Sequence, residues 1–332
     1  MTTLAAGDSI RNHLWRRFCQ HRLAIASLVL LGILAALCAA APLLVQTATI
    51  REVDGVDEVA FGPGLWRYTD TGESIDTGGR FQPSSAHHWL GTDDLGRDLL
   101  IRLLEGGRIS LTVGLVAALC ASLVGVGIGA LAGYFGGVLD MLLMRFTDAM
   151  LSVPVLALMI VISMVDLTKL GLGWLVRMRW GELDVAGLAK LMFVVVIFQW
   201  MGVARLVRGS MLTLKERDFV MAARALGAGH ARIIFHHLVP NAMAPIIVAT
   251  TLAAGSTILY ESVLSFLGLG VMPPTSSWGN MLSSAQEYMR KSPWLAVYPG
   301  VLIWLTVTAF NFLGDGLRDA LDPKHLAADG RA

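Results

Sequence analysis

Charge is scarce in this sequence. Only 15% of its 332 residues are charged, against 55% hydrophobic, whereas an ordinary soluble domain carries about a quarter charged residues. The charges cluster between apolar stretches that run uncharged for twenty residues or more, as from Leu23 to Val45 and from Ile109 to Leu139. Runs of that length suit a bilayer core of about 30 Å, crossed at about 1.5 Å per helical residue. An ordinary soluble fold is excluded. The net charge of +1 also excludes a strong overall attraction to nucleic acid or anionic lipid.

Cysteine is equally sparse. Cys19, Cys38 and Cys120 form no disulfide framework, and Cys38 and Cys120, inside apolar runs, read as small buried hydrophobes. Phosphate-binding chemistry is missing too: none of Lys169, Lys190, Lys215, Lys291 and Lys324 follows a glycine, so there is no G-x-x-x-x-G-K-[ST] cradle. The expectation is a chain that is no enzyme and holds no cofactor. The eight histidines raise the question of a membrane metalloenzyme. No H-E-x-x-H occurs, and the adjacent pairs His87-His88 and His236-His237 point apart instead of chelating together. No chain of carboxylates crosses the apolar runs, which argues against a proton-coupled carrier.

What is present reads as six spans: Leu23–Val45, a second within Ile109–Leu139, a third from about Arg145 to Val165, a short fourth at Leu191–Ala204, a fifth at Pro240–Leu264 and a sixth at Trp294–Leu313. The first is longer than the roughly 7–15 apolar residues of a signal peptide, so it reads as a retained anchor, although Ala39-Ala40-Ala41 resembles a cleavage context. Loop charges set orientation. The arm before span one carries Arg11, Arg16, Arg17 and Arg22, and the loop after span four carries Arg205, Arg208, Lys215, Arg217, Arg224 and Arg232. The loop after span one is acidic. Both termini are therefore expected in the cytoplasm. The segment 166–190, with Trp174 and Trp180, reads as an outer lid, and 46–88 as a small extracytoplasmic excursion with short strands. The expected organisation is a cytoplasmic arm at 1–22, the first transmembrane helix at 23–45, an extracytoplasmic segment at 46–108, a core at 109–318 containing the loop 213–238, and a cytoplasmic tail at 319–332.

Small residues in span two follow a four-residue interval, Ala121, Gly125, Gly129, Gly133 and Gly137, which places them on one helical stripe where a second backbone approaches closely. Pro154, Pro245 and Pro299 sit inside spans, where proline introduces kinks. Arg145 and Asp148, three apart, form a candidate ion pair. Gln199, Asn241, Glu261 and Asn311 are polar groups expected to bond neighbouring helices.

The loop before span five is the most informative stretch. Phe219, Ala222, Ala223 and Leu226 share a face, predicting a short helix over Glu216–Leu226. Gly227 and Gly229 permit the turn that ends it, a second short helix follows over His230–Leu238, and Pro240 opens span five. Such a projection offers an apolar knob to a partner's groove. A helix lying on the membrane surface fits the flanking arginines equally well.

A family resemblance separates these readings. Met221-Ala222-Ala223, Gly227 and His237-Leu238-Val239-Pro240 resemble the EAA loop of bacterial ABC-importer permeases: Glu-Ala-Ala, three residues, Gly, nine residues, Ile-x-Leu-Pro. Met221 stands where the pattern has Glu, and His237 where it has Ile. Trp89-Leu-Gly-Thr-Asp-Asp-Leu-Gly-Arg-Asp-Leu-Leu100, running on to Gly107-Arg-Ile-Ser-Leu111, is similar to the dipeptide/oligopeptide/nickel permeases, as is Leu264-Ser-Phe-Leu-Gly-Leu-Gly-Val-Met-Pro-Pro-Thr-Ser-Ser-Trp-Gly-Asn-Met-Leu282. The resemblance covers most of residues 85–322 and points to the C-type subunit. It implies an all-α membrane protein with six transmembrane helices in the MetI-like fold, sited in the bacterial inner membrane. It further implies a homologous second permease, two ATPase subunits that bind ATP and Mg, and an extracytoplasmic solute-binding protein as partners. Peptides are the implied substrate, with nickel or another small solute as the alternative. Phe219, Met221, Ala222, Ala223, Leu226, Gly227 and Pro240 would form the ATPase-coupling loop.

Overall fold

The computed structural model describes residues 17–53, 56–61, 66–68, 79–85, 88–165, 169, 185–273 and 275–321. Most of the expected lid, 166–168 and 170–184, falls outside the described residues, and its last six residues, 185–190, are helical; His87 and much of the acidic excursion also fall outside.

Helix α1 (Arg22–Leu44) leads into a small sheet of β1 (Val45–Val53), β2 (Val56–Phe61) and β3 (Trp66–Tyr68). β1 is central, antiparallel to β2 and parallel to β3, with Val53 opposite Val56 and Val45 opposite Trp66. All other elements are helical: α2 (Leu99–Phe135), α3 (Gly137–Leu151), α4 (Val155–Met164), α5 (Val185–Leu214), α6 (Asp218–Ala225), α7 (His230–Arg232), a π-helical turn Ile233–Leu238, α8 (Val239–Asn241), α9 (Met243–Phe266), α10 (Trp278–Tyr288) and α11 (Trp294–Leu321). Helices α1, α2, α5, α9 and α11 are each long and apolar enough to cross a membrane, and the pair α3–α4, bent by 84°, supplies a sixth crossing if counted as one span.

Several expected spans are longer than their uncharged runs. Helix α2 starts ten residues before Ile109 because Asp98 caps it, accepting from Ile101 N at 3.1 Å. Its 37 residues reach about 55 Å at the α-helical rise, beyond any bilayer core. Helix α5 does not stop at Ala204, since its arginines are paired: Arg205 reaches Asp148 at 2.5 Å, and Arg208 grips Asp140 through two nitrogens at 2.5 and 2.7 Å. The candidate Arg145–Asp148 pair is therefore replaced by a bond from Asp148 to a different helix. Helix α11 likewise runs past Leu313 to Leu321.

The three prolines behave differently. Pro154 breaks the third span instead of bending it: Val153 before it is pushed away from helical geometry, and Pro154 becomes the N-cap of α4. Pro245 is the third residue of α9, where the backbone N–H has no helical partner to lose, so it causes no kink. Pro299 lies buried inside α11. Cys38 is buried as read, but Cys120 is exposed, on the outward side of α2.

Helices α2 and α5 form the most extensive pairing in the molecule. They run parallel, and the small-residue stripe makes the contact. A Cβ on Gly125 would lie 2.6 Å from the Trp200 carbonyl, and one on Gly133 would lie 2.6 Å from Met211 Cβ. One on Gly129 would strike the Ala204 carbonyl, and Ala121 is fully buried. Gly137 falls off this stripe, beyond the helix end, with a φ of 56°.

Helix α9 runs back antiparallel to α2, with Ile258 against Gly114, and α11 antiparallel to α9, with Gly314 against Leu252. Ala24 of α1 packs beside Gly316 of α11, and His21 Nε2 lies 3.7 Å from Asp319. The first and last described helix ends thus share one face with the loop 215–242. The start of α2, the end of α9 and α10 lie at the opposite face.

Candidate functional site

The loop between α5 and α9 is a folded unit. Asp218 in the first turn of α6 and Arg224 in the last both suit the helix dipole. Gly227, at φ 80°, ends the helix, and the Ala228 N–H closes back on the Ala223 carbonyl at 3.0 Å. The chain then re-enters helix at His230 and widens into the π turn Ile233–Leu238. Pro240 explains the widening: it has no N–H for the His236 carbonyl, and its ring crowds that carbonyl in α geometry. Pro240 itself is exposed in α8, and span five begins only at Met243, after Ala242 breaks the helix at φ −93°, ψ 4°.

This unit has an inner and an outer surface. Val220, Ile233 and Leu238 are at most 1% exposed and pack with Tyr134, Val207 and Met211 from the ends of α2 and α5. The periodicity of Phe219, Ala222, Ala223 and Leu226 gave the face offered to a partner and left Val220, which anchors the helix from below, without a role. The outer surface carries Phe219 at 40%, Met221 at 54%, Phe235 at 66% and Leu226 at 89% exposure. Ala222 is exposed and Ala223 half-buried.

A second region lies at the opposite face. The Asp93 carboxylate accepts from Leu95 N, Arg97 N and Arg97 Nε at 2.8–2.9 Å, and from Arg102 Nη1 at 2.5 Å. Arg102 also donates to Ser276 Oγ at 3.4 Å. Asp98 shares a 2.9 Å bond with His88 Nδ1. Ser277 and Asn280 form a capping box on α10, and the fully buried Trp278 donates its Nε1–H to the Leu103 carbonyl at 2.9 Å. Glu261 is fully buried and is held by hydroxyls: Ser110 donates at 2.9 Å and Ser265 at 2.8 Å. Burial and the neighbouring Asp93 carboxylate push the Asp94 carboxyl above its usual range, against the pull of Arg97 and Arg102. The stretches 89–111 and 264–282 are thus packed against each other. Glycines permit this closeness: a Cβ on Gly106 would lie 3.1 Å from the Ser277 backbone and one on Gly279 2.5 Å from the Ser262 carbonyl. Sequence reading flagged Glu261 as a polar group in a span but gave no sign of its serine partners, 4 and 151 residues away.

Gln199 donates to Ser256 and Thr257 on α9, both at 3.1 Å, bonding a neighbouring helix, whereas Asn241 bonds locally to the His237 carbonyl at 2.5 Å. Beside the loop, a cavity of about 580 Å³ lies between α5, α9 and α11, lined by Leu206, Asn241, Pro245, Val248, Leu252 and Arg318 among others. Among the described residues no cluster of three or more His, Cys, Asp or Glu could hold a metal ion.

Five long apolar helices, a bent pair that makes a sixth crossing if counted as one span, and a short-helix loop docked on α2 and α5 define the class as a polytopic helical membrane protein. A chain of the MetNI methionine ABC transporter, solved in an inward-facing conformation, has the same fold: TM-score 0.50, 19% identity, covering 67% of this chain and 97% of that one. Residues 125–326 match the family of binding-protein-dependent transport system inner membrane components, and residues 11–53 match the N-terminal transmembrane domain of oligopeptide transport permease C. The chain belongs to this family of ABC-transporter permeases. The dipeptide transport system permease protein DppC of Alkalihalophilus pseudofirmus is 44% identical over 245 residues, covering 74% of this chain and 75% of the relative. The oligopeptide transport system permease protein OppC of Escherichia coli is 39% identical over 319 residues (96% and 92%), and the glutathione transport system permease protein GsiD of Pectobacterium atrosepticum 41% identical over 242 (73% and 74%).

Proposed function

We propose that this chain is one of two permease subunits forming the pathway of an importer for short peptides, driven by separate ATPases that seat on α6. The names of the dipeptide and oligopeptide relatives, together with the match of the N-terminal segment to permease C, support the substrate class. One observation carries the docking reading. Four large apolar side chains point outward from a loop whose other side is fixed to the frame by Val220, Ile233 and Leu238. An exposed apolar patch on a rigid support marks a partner surface, and a soft loop would absorb a partner's displacement instead of passing it on.

In this reading the loop faces the cytoplasm, in keeping with the positive-inside distribution, and the start of α1 and the end of α11 lie on that same side. ATP and Mg belong to the partner subunits. Closure of the two ATPases shifts α6, the helices it packs on respond, and the pathway turns outward to accept ligand from the solute-binding protein. The cavity between α5, α9 and α11 supplies this chain's share of the route near the loop face. Selection among peptides rests with the binding protein in this reading, and the name of the glutathione-transport relative is in keeping with a small peptide-like solute.

The test is Ala223→Asp in the assembled complex. Ala223 sits half-buried where α6 meets its surroundings, and a charge there opposes seating in an apolar groove. The expected result is loss of binding-protein-stimulated ATP hydrolysis with normal membrane insertion; unchanged stimulation contradicts the docking reading.

A further inference from the structure

We propose that Tyr134, in the last turn of α2, is the positioning residue that ties the docking loop to the transmembrane frame, with His230 as its partner. This rests on the docking reading above. Each part of the loop reaches the same short stretch, residues 133–135. From the linker after α5, Lys215 Nζ donates to the Gly133 carbonyl at 2.9 Å, satisfying one of the carbonyls that a helix C-terminus leaves without a partner. From α6, the Arg224 guanidinium lies 5.5 Å from the centroid of the Tyr134 ring, within cation–π range. From α7, His230 Nδ1 and the Tyr134 hydroxyl share a 2.8 Å hydrogen bond, and the His230 ring stands edge-on to Tyr134 at 5.6 Å and tilted against Phe135 at 5.8 Å.

Tyr134 is therefore touched by both short helices of the loop, and it is only 6% exposed. Apolar packing holds the loop against the frame but, being non-directional, does not by itself set the angle at which the loop stands. The Tyr134–His230 bond is directional and fixes the angle at which α7 stands on α2, and α6, joined to α7 by the turn at Gly227 and touching the same ring through Arg224, follows it. Because α2 is locked to α5 through Gly125, Gly129 and Gly133, a tilt of the α6–α7 unit, passed to Tyr134 through His230 and Arg224, carries the α2–α5 pair along with it. Span two thereby joins the moving parts directly.

The experiment uses the complete transporter, with both permeases, both ATPases and the binding protein as purified. Two quantities are read: ATPase subunits retained per complex, and the ratio of ATP hydrolysis with and without binding protein. Tyr134→Phe, which removes one oxygen, and His230→Ala are each expected to keep the wild-type complement of ATPase while lowering the ratio at least about five-fold, the lower end of ordinary inter-site coupling. His230→Asn, which returns a hydrogen-bonding atom near the position of Nδ1, is expected to restore most of the ratio. Wild-type ratios in both Tyr134→Phe and His230→Ala overturn the proposal, as does a loss of ratio that merely follows loss of bound ATPase. A wild-type complex that binds no ATPase through this loop defeats the docking reading itself, a result distinct from either.

Discussion

The two regions that the sequence marks most strongly are built in opposite ways. At one face, residues 89–111 and 264–282 turn their polar groups and Trp278 inward, with Asp93 saturated by four bonds, Trp278 fully buried and Glu261 enclosed by serines. At the other, residues 218–238 keep Val220, Ile233 and Leu238 beneath them but turn Phe219, Met221, Leu226 and Phe235 outward, with Leu226 89% exposed. Both are glycine-punctuated and dense in recognisable spacing, so a pattern of residues alone does not separate a lock from a handle. Satisfaction does: a lock uses its polar groups internally, whereas a handle leaves apolar area for another molecule.

Four substitutions break or sharpen this contrast. The largest effect is expected for Asp93→Ala, which strands the Arg102 guanidinium, 6% exposed in its side chain. Removing one partner of a buried ion pair costs about 3–5 kcal/mol, read as a lower denaturation midpoint in detergent. An intact midpoint would mean the region is no lock. Next comes Gly129→Leu, whose side chain must displace the Ala204 carbonyl and Val207; overpacking costs about 1–3 kcal/mol, and thermal unfolding of the purified complex measures it. Leu226→Asp at the outward face should change stability by no more than about 0.5 kcal/mol, the range of ordinary surface changes, while abolishing binding-protein-stimulated hydrolysis. A large stability loss there would make the loop a lock as well.

The smallest effect concerns pH. Asp94 has its carboxyl pushed upward on folding, so the favourable protonated form is present at low pH and is lost as pH rises through the raised value. Asp94→Asn should therefore be slightly more stable than the parent at neutral pH. The difference should vanish as pH falls through the ordinary carboxylate range near about 4, followed by unfolding midpoints from about pH 3 to 7.

Sequence spacing made the helical membrane class and the loop's short-helix form legible because both depend on local periodicity. The stripe from Ala121 to Gly133 was legible for the same reason, although its partner, α5, was not. Helix lengths were misread where charges are neutralised from elsewhere: Arg205 and Arg208 looked like the end of a span until Asp148 and Asp140 of α3 are placed beside them. The inward turn of Val220 and the Tyr134–His230 bond each depend on contacts between distant residues, 96 apart in the last case. Such contacts leave no periodic trace.

The most direct measurement is chemical cross-linking from the exposed tip of the loop. Leu226→Cys, in a chain with Cys19, Cys38 and Cys120 replaced by Ser or Ala, is treated with a short bifunctional maleimide in cells producing the whole transporter. The account predicts a cross-link to the ATP-hydrolysing subunit and protection from membrane-impermeant thiol reagents added outside the cell. Labelling from outside, or the absence of any adduct with that subunit, would contradict it.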